Sequence, residues 1–227
     1  ILNFLKKKGF NKFNLLLDVG AHRGESIKLF LNNFEVKKII SFEASPINFE
    51  FLKKKEIKYI KKFSNTKIVI ENIALGSKNK TADLKQFTES SSSTIKNINV
   101  KSQYLKRKFK LLNFFNTKDI YHSFKIKILK LDDYFIQNNI QNVDFLKIDT
   151  EGYEYEILLG LEKKIKLVNI IMFEHHYDNM IEKEYTFTDI NNLLVSNNFT
   201  KIYKSRMPFR KTFEYIYIKS ELLNRKM

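Results

Sequence analysis

Strand-like and helix-like segments alternate along most of this chain, and this alternation restricts the fold more than any other feature. Short apolar runs with the length of buried strands lie at residues 15–19, 38–43, 67–75, 143–149 and 168–173. Segments with helical periodicity follow several of these runs, at residues 24–33, 46–53 and 154–164. Repeated strand–helix units predict a mostly parallel sheet that helices cover on both faces.

The C-terminal part follows a different pattern. Thr188 is expected to cap a helix, and residues 201–204 and 213–219 predict two strands that are close in sequence. A short connection favours an antiparallel pair at the edge of the sheet. We therefore predict an α/β fold with a doubly wound, mostly parallel seven-stranded sheet and a C-terminal antiparallel hairpin.

Acidic residues end four of the predicted parallel strands: Asp18, Glu43, Asp149 and Glu174. In open α/β sheets the carboxyl ends of the strands form the edge where ligands bind. The four side chains are therefore expected to meet at one cleft.

The loop after the first strand indicates what this cleft binds. Asp18 precedes a turn through Gly20 and Gly24, with G-x-x-x-G spacing where a dinucleotide site has G-x-G-x-x-G. An acid here repels a pyrophosphate but attracts an amine, which fits the ammonium and sulfonium groups of S-adenosylmethionine. Glu43, at the end of the next strand, is placed to accept the ribose hydroxyls. The alternative is that Asp18 only caps a tight structural turn.

Histidines supply the candidate bases. His175 and His176 follow Glu174, and His22 lies in the first loop. A histidine at a strand end beside a cleft is placed to take a proton from a hydroxyl, although a packed or surface histidine is the alternative. Asp149, Glu174 and His175 include hard oxygen donors, but they lack the local spacing of a known metal site, so no metal is expected.

Five motifs occur in a characteristic order: residues 18–24 (DVGAHRG), 42–48 (FEASPIN), 72–76 (NIALG), 131–133 (LDD) and 143–152 (VDFLKIDTEG). In these motifs the chain resembles FkbM-family S-adenosylmethionine-dependent methyltransferases over about residues 14–219. The resemblance implies a Rossmann-like fold of the class I methyltransferase type. It also implies O-methylation of a hydroxyl on a sugar, glycan or secondary metabolite.

The resemblance assigns roles residue by residue. The expected cofactor-binding residues are Asp18, Gly20, His22, Gly24, Glu43, Asn72, Ile73 and Asp149. Among these, Asp18 and the glycines would line the methionine end, Glu43 the ribose, and Asn72 and Ile73 the adenine. The expected catalytic residues are Asp149, His175 and Glu151. A serine-rich loop at residues 91–93 is expected to close over the site.

The net charge of +16 raises an alternative function. It suggests an RNA methyltransferase of the same fold, although a lysine excess from A/T-rich codons is the simpler explanation of the charge. A non-catalytic cofactor-binding domain is the third reading. We expect the partner to be a small-molecule or glycan acceptor, and nucleic acid is the less favoured alternative.

Composition sets the remaining expectations. The 227 residues fit one domain over residues 1–227, in which the basic segment 101–118 is either an amphipathic helix or an insertion. The sequence has no cysteine, which excludes a disulfide framework and a cysteine nucleophile. It shows no apolar run that could span a bilayer and no secretory signal, so a cytoplasmic location is expected.

Overall fold

The structure is a computed structural model that describes residues 1–88, 92–111, 121–208 and 211–223, without the side chains of 108–111. In chain order its helices and strands are α1 (Leu2–Lys7), β1 (Lys12–Val19), α2 (Glu25–Leu31), β2 (Glu35–Phe42), α3 (Pro46–Lys62), β3 (Lys67–Glu71), β4 (Ala74–Gly76), β5 (Lys80–Phe87), β6 (Ser93–Thr94), α4 (Gln103–Leu111), β7 (Tyr121–Lys130), α5 (Leu131–Gln137), β8 (Val143–Ile148), α6 (Glu154–Leu159), a 3-10 helix (Glu162–Leu167), β9 (Val168–His176), α7 (Phe187–Ser196), β10 (Phe199–Arg206), β11 (Thr212–Lys219) and α8 (Ser220–Leu223).

A seven-stranded sheet with the order β10-β11-β9-β8-β1-β2-β3 forms the centre of the molecule. The strands β3, β2, β1, β8 and β9 are parallel to one another, while β11 is antiparallel to both β9 and β10. The predicted doubly wound, mostly parallel sheet with a C-terminal antiparallel hairpin is therefore confirmed.

A second sheet, with the order β4-β7-β5-β6, was not predicted. The strand expected at residues 67–75 is divided into β3 in the large sheet and β4 in the small one. Asn72, at the break, donates from Nδ2 to the carbonyl oxygen of Glu43 (2.8 Å), where the chain leaves the large sheet. The second sheet is built mainly on the antiparallel β5–β7 pair.

The hydrophobic core has one cluster on each face of the large sheet. Leu17 and Ile40 belong to the cluster that includes α5, α6 and α7, whereas their neighbours Leu16 and Ile39 belong to the cluster against α2 and α3. Successive strand side chains point to opposite faces, so this division follows from the pleat of β1 and β2. Side chains of the second sheet, such as Ile128, complete the first cluster.

Several predicted boundaries are wrong by a few residues. The N-cap residue of α7 is Thr186, not Thr188. Its side chain accepts a hydrogen bond from the backbone N–H of Asp189, and the Asp189 side chain accepts one from the backbone N–H of Thr186, which together form a capping box. The strand expected to end at Glu174 continues to His176. The basic segment 101–118 contains α4, and its residues 112–118 lie outside the described part of the chain, as does Ser91. No helix in the described ranges has the length and apolar character to cross a membrane.

Candidate active site

A cavity of about 1330 Å³ opens at the carboxyl ends of the parallel strands. Six of the predicted site residues line it: Gly20, His22, Glu43, Ile73, Asp149 and Glu151. The other four, Asp18, Gly24, Asn72 and His175, are not among its lining residues. The edge expected to bind a ligand thus carries a cavity, with most of the predicted residues in its wall.

Gly20 holds the first loop against two neighbouring strands. The backbone N–H groups of Gly20 and Ala21 both donate to the carbonyl oxygen of Phe42 (3.0 Å each). Gly20 has a φ of +82°, and a Cβ there would lie 1.8 Å from the carbonyl oxygen of Asp149. The loops after β1 and β8 therefore meet at the cavity wall with no room for a side chain between them. Gly24 (φ +89°) is the N-cap residue that precedes α2, and it does not line the cavity.

Glu43 lies in the cavity wall just after β2 and is only 4% exposed. Its Oε2 accepts from the backbone N–H of His22 (2.7 Å) and its Oε1 from that of Ser45 (2.8 Å). Burial raises the pKa of Glu43 to about 7, and these two backbone hydrogen bonds oppose the rise. A carboxylate has about four acceptor positions, so each oxygen keeps capacity for a further donor from a ligand.

Asp18 is fully buried and serves the site indirectly. It lies opposite Lys147 of β8 in the sheet register, and Lys147 Nζ donates to Asp18 Oδ1 (3.0 Å). The second oxygen, Oδ2, accepts from Ser26 Oγ of α2 (2.5 Å). Lys147 Nζ also reaches the carbonyl oxygen of Gly20 (3.3 Å) and Oδ2 of Asp149 (3.5 Å). The charge of Asp18, predicted to attract a ligand amine, is thus neutralised inside the protein.

Lys147 is the residue that the sequence analysis missed. It lines the cavity and is 7% exposed. Burial alone would lower the pKa of Lys147, but the carboxylates of Asp18 and Asp149 outweigh that effect and raise it above its usual range. A lysine among the apolar residues Phe145, Leu146 and Ile148 was the available signal, because a charge buried in a strand needs a partner.

The loop after β8 presents Asp149 and Glu151 to the cavity and is fixed from below by Glu154. Glu154 Oε1 accepts from the backbone N–H groups of Thr150 and Gly152 (3.1 Å each). Its Oε2 accepts from Tyr185 Oη (2.6 Å). Glu154, the first residue of α6, thus anchors this loop through both carboxylate oxygens. Glu151 has a positive φ of 51°, a conformation uncommon for residues other than glycine.

Glu174 and His176, two residues apart on β9, point into the same cavity. His176 Nε2 lies 3.2 Å from Glu151 Oε2 and 3.3 Å from Glu174 Oε1, and its Nδ1 lies 3.6 Å from Asp178 Oδ2. Burial lowers the pKa of His176, but these three carboxylates outweigh burial and raise it. Burial and the neighbouring Asp149 raise the pKa of Glu174. These surroundings therefore favour the protonated forms of both side chains.

His175 projects from the opposite face of β9, because side chains alternate along a strand. Its ring packs against Tyr177, Tyr185 and Phe187, with centroids 4.8, 5.9 and 5.9 Å away. Burial lowers the pKa of His175 to about 3. The geometry does not bring this predicted base to the cavity, whereas its neighbour His176 lies in the cavity wall.

The cavity wall is acidic although the chain is basic. Its carboxylates are Glu25, Glu43, Asp149, Glu151, Glu174 and Glu214, and its Lys and Arg residues are Lys147 and Arg107. Apolar side chains complete it, among them Ala44, Ile73, Leu75 and Leu84. Within the described part of the chain, no three His, Asp or Glu side chains are arranged to hold a metal ion. This wall suits an organic cation with an apolar ring and hydroxyl groups.

Comparison with known proteins finds structures of similar fold. Among solved structures, the chain is similar to the methyltransferase FkbM from Methylobacillus flagellatus, with 14% identity and a TM-score of 0.60. The alignment covers 90% of this chain and 43% of that one, so this chain spans less than half of that protein.

A second similar structure is magnesium protoporphyrin IX methyltransferase (ChlM) from Synechocystis, solved with bound S-adenosylmethionine. The identity is 10% and the TM-score 0.52, and the alignment covers 96% of this chain and 76% of that one. No curated protein matches the sequence at a significant level. At these identities the two structures support the fold alone.

The sequence itself matches the methyltransferase FkbM domain over residues 18–201, most of its length. The matched range begins at Asp18 and contains Glu43, Asp149 and Glu174. Proteins of this family use S-adenosylmethionine, the cofactor predicted from the sequence. The resemblance seen in the motifs is therefore confirmed, and the chain belongs to the FkbM methyltransferase family.

Proposed function

We propose that this protein transfers a methyl group from S-adenosylmethionine to a hydroxyl of a sugar, glycan or secondary metabolite. The proposal rests on one cavity that two groups of residues line together. The first group is Glu43 with the loop after β1 that contains Gly20, here called the Gly20 loop, and the second is the carboxylates Asp149, Glu151 and Glu174. The first part suits the cofactor and the second a hydroxyl acceptor. When bound, the cofactor supplies an electrophilic methyl group on a sulfonium.

Glu43 and the Gly20 loop form the cofactor half of the cavity in this proposal. The Glu43 oxygens, each already bound by one backbone N–H, accept the ribose hydroxyls. Ala44 and Ile73 provide apolar surface for the adenine ring. Asp149, with its side chain 37% exposed, faces the positively charged end of the cofactor.

Glu151 and Glu174 form the acceptor half, and Asp149 is shared between the two halves. A hydroxyl acceptor needs hydrogen-bond acceptors that orient it and a group that takes its proton late in the transfer. Among these carboxylates Glu174 suits the proton best, because its raised pKa brings its basicity closer to neutral pH. His176, within 3.3 Å, holds Glu174 in place. His175, the base expected from the sequence, has no such position.

The acidic wall supports a neutral acceptor over RNA. A phosphate backbone entering this cavity would meet six carboxylates and only two Lys or Arg residues, which disfavours a polyanion. A non-catalytic role is less consistent with a cavity that combines both halves.

Formation of S-adenosylhomocysteine during incubation with S-adenosylmethionine and candidate acceptors tests the proposal. The acceptors are neutral sugars, glycans, polyhydroxylated metabolites and a structured RNA. We expect transfer to a hydroxyl compound, reduced at least about a hundredfold in Glu174→Gln. Glu221→Gln, in α8 and outside the cavity wall, is the matched control and should retain the activity. Transfer to the RNA alone would contradict the proposed acceptor class.

A further inference from the structure

Lys147 occupies an unusual position for a lysine. It is buried in the large sheet between β1 and β9, and its Nζ lies under the point where the loops after β1 and β8 meet. An ammonium group has three N–H donors. Three oxygens surround it: Asp18 Oδ1 at 3.0 Å, the Gly20 carbonyl at 3.3 Å and Asp149 Oδ2 at 3.5 Å.

These three acceptors belong to different parts of the proposed cofactor site. Asp18 is buried below the cavity and is tied to α2 through Ser26. Gly20 and Asp149 both line the cavity. One ammonium group thus connects the end of β1, the backbone of the first loop and the acidic side chain opposite that loop.

The surrounding backbone does not fix the Asp149 side chain. The Asp149 N–H donates to the carbonyl oxygen of Val19 (3.0 Å), which positions its main chain only. For the carboxylate, Lys147 is the positively charged neighbour in the ion pairs of the described residues. Without Lys147, the Asp149 carboxylate would turn freely, and the Gly20 carbonyl would lose its side-chain donor.

We propose that Lys147 is a positioning residue, whose ammonium group fixes the Gly20 loop and the Asp149 carboxylate in the geometry that binds the cofactor. This role rests on the proposed function. Lys147 has two separate roles in this proposal. Its ion pair with Asp18 stabilises the fold, whereas its contacts with Gly20 and Asp149 serve ligand binding. The two parts are separable by substitution.

The experiment compares Lys147→Met with the double variant Asp18→Asn/Lys147→Met. The single variant leaves Asp18 buried without its cation, so we expect the melting temperature to fall by about 10 °C. The double variant removes both charges, and replacing a buried pair by neutral groups is often close to neutral for stability. Most of the loss in melting temperature should therefore be recovered.

Affinity for S-adenosylhomocysteine, measured by calorimetry, should behave differently from stability. We expect it to fall at least about tenfold in the single variant and to stay equally low in the double variant. Asp18→Asn alone keeps the contacts of Lys147 to Gly20 and Asp149 and should weaken binding less than the double variant. Lys96→Met is the matched control: Lys96 forms a half-buried ion pair with Glu156, and neither residue lines the cavity.

Each outcome decides the question. Affinity that returns together with stability in the double variant would show that Lys147 only supports folding. An equal loss in Asp18→Asn alone would transfer the role to Asp18, and a loss in Lys96→Met would show that any ion pair has this effect. Failure of the wild-type protein to bind would overturn the proposed function itself. If Lys147→Met does not fold, the comparison of the double variant with Asp18→Asn answers the question: weaker binding by the double variant supports the role of Lys147, and equal binding overturns it.

Discussion

Replacing Gly20 by alanine should disturb the fold and the cavity together. The new Cβ would lie 1.8 Å from the Asp149 carbonyl oxygen, where an ordinary contact is at least 3.4 Å, so the two loops must separate by about 1.6 Å. The left-handed φ of +82° adds about 1–2 kcal/mol for a residue with a Cβ. Overpacking of this kind adds about 1–3 kcal/mol, so we expect a total loss of about 2–5 kcal/mol in the free energy of unfolding.

Gly9→Ala is the matched control for the backbone contribution. Gly9 also has a positive φ, of 78°, but it is exposed and remote from the cavity wall. The Gly9→Ala variant should lose only about 1–2 kcal/mol in the free energy of unfolding, measured in urea, and should keep its affinity for S-adenosylhomocysteine. Gly20→Ala should lose more stability and bind at least about tenfold more weakly. Equal destabilisation of the two variants, with binding intact in both, would refute the close approach of the β1 and β8 loops.

Three further predictions concern the titration of Glu43 and the roles of the two histidines on β9. Because burial raises the pKa of Glu43 to about 7 and ribose hydroxyls need its ionised form, cofactor affinity should increase between about pH 6 and 8. Glu43→Gln should bind more weakly and show a flat calorimetric profile, and an unchanged slope would assign the titration elsewhere. His175→Phe should keep methyl transfer, whereas His176→Asn should reduce it at least about tenfold, and the reverse pattern would restore His175 as the base. The folded-state pKa of His176 is raised, so its contribution to stability should be full below about pH 6.5 and decline as pH rises through that pKa. Urea unfolding of wild type and His176→Asn at several pH values measures the difference.

The main sheet and its acidic edge were predictable because they depend on local signals. Apolar runs of strand length, several of them followed by a helix, indicate parallel strands, and acids such as Glu43 and Asp149 mark the ends of these runs. The second sheet was not predictable, because β4 is only three residues long and pairs with β7 far along the chain. Such pairing leaves no periodic signature near β4 itself.

Individual site residues were less predictable for two physical reasons. His175 and His176 are adjacent, and the pleat of a strand sends neighbouring side chains to opposite faces. The sequence therefore does not determine which of the two histidines faces the cavity. Lys147 is one of many lysines in the sequence. Its place among apolar strand residues is a weak signal, and its register opposite Asp18 and its burial, which distinguish it clearly from a solvated side chain, are seen only in the structure.

Binding of S-adenosylhomocysteine to this cavity is the central claim, and calorimetric titration of the wild type, Glu43→Ala and Glu50→Ala tests it most directly. Glu50 lies on the exposed face of α3, outside the cavity wall, and serves as the matched acidic control. We predict micromolar binding, about −8 kcal/mol, for the wild type and Glu50→Ala, and its loss in Glu43→Ala. Absence of binding to the wild type, or equal binding by all three proteins, would contradict the assignment of this cavity as the cofactor site.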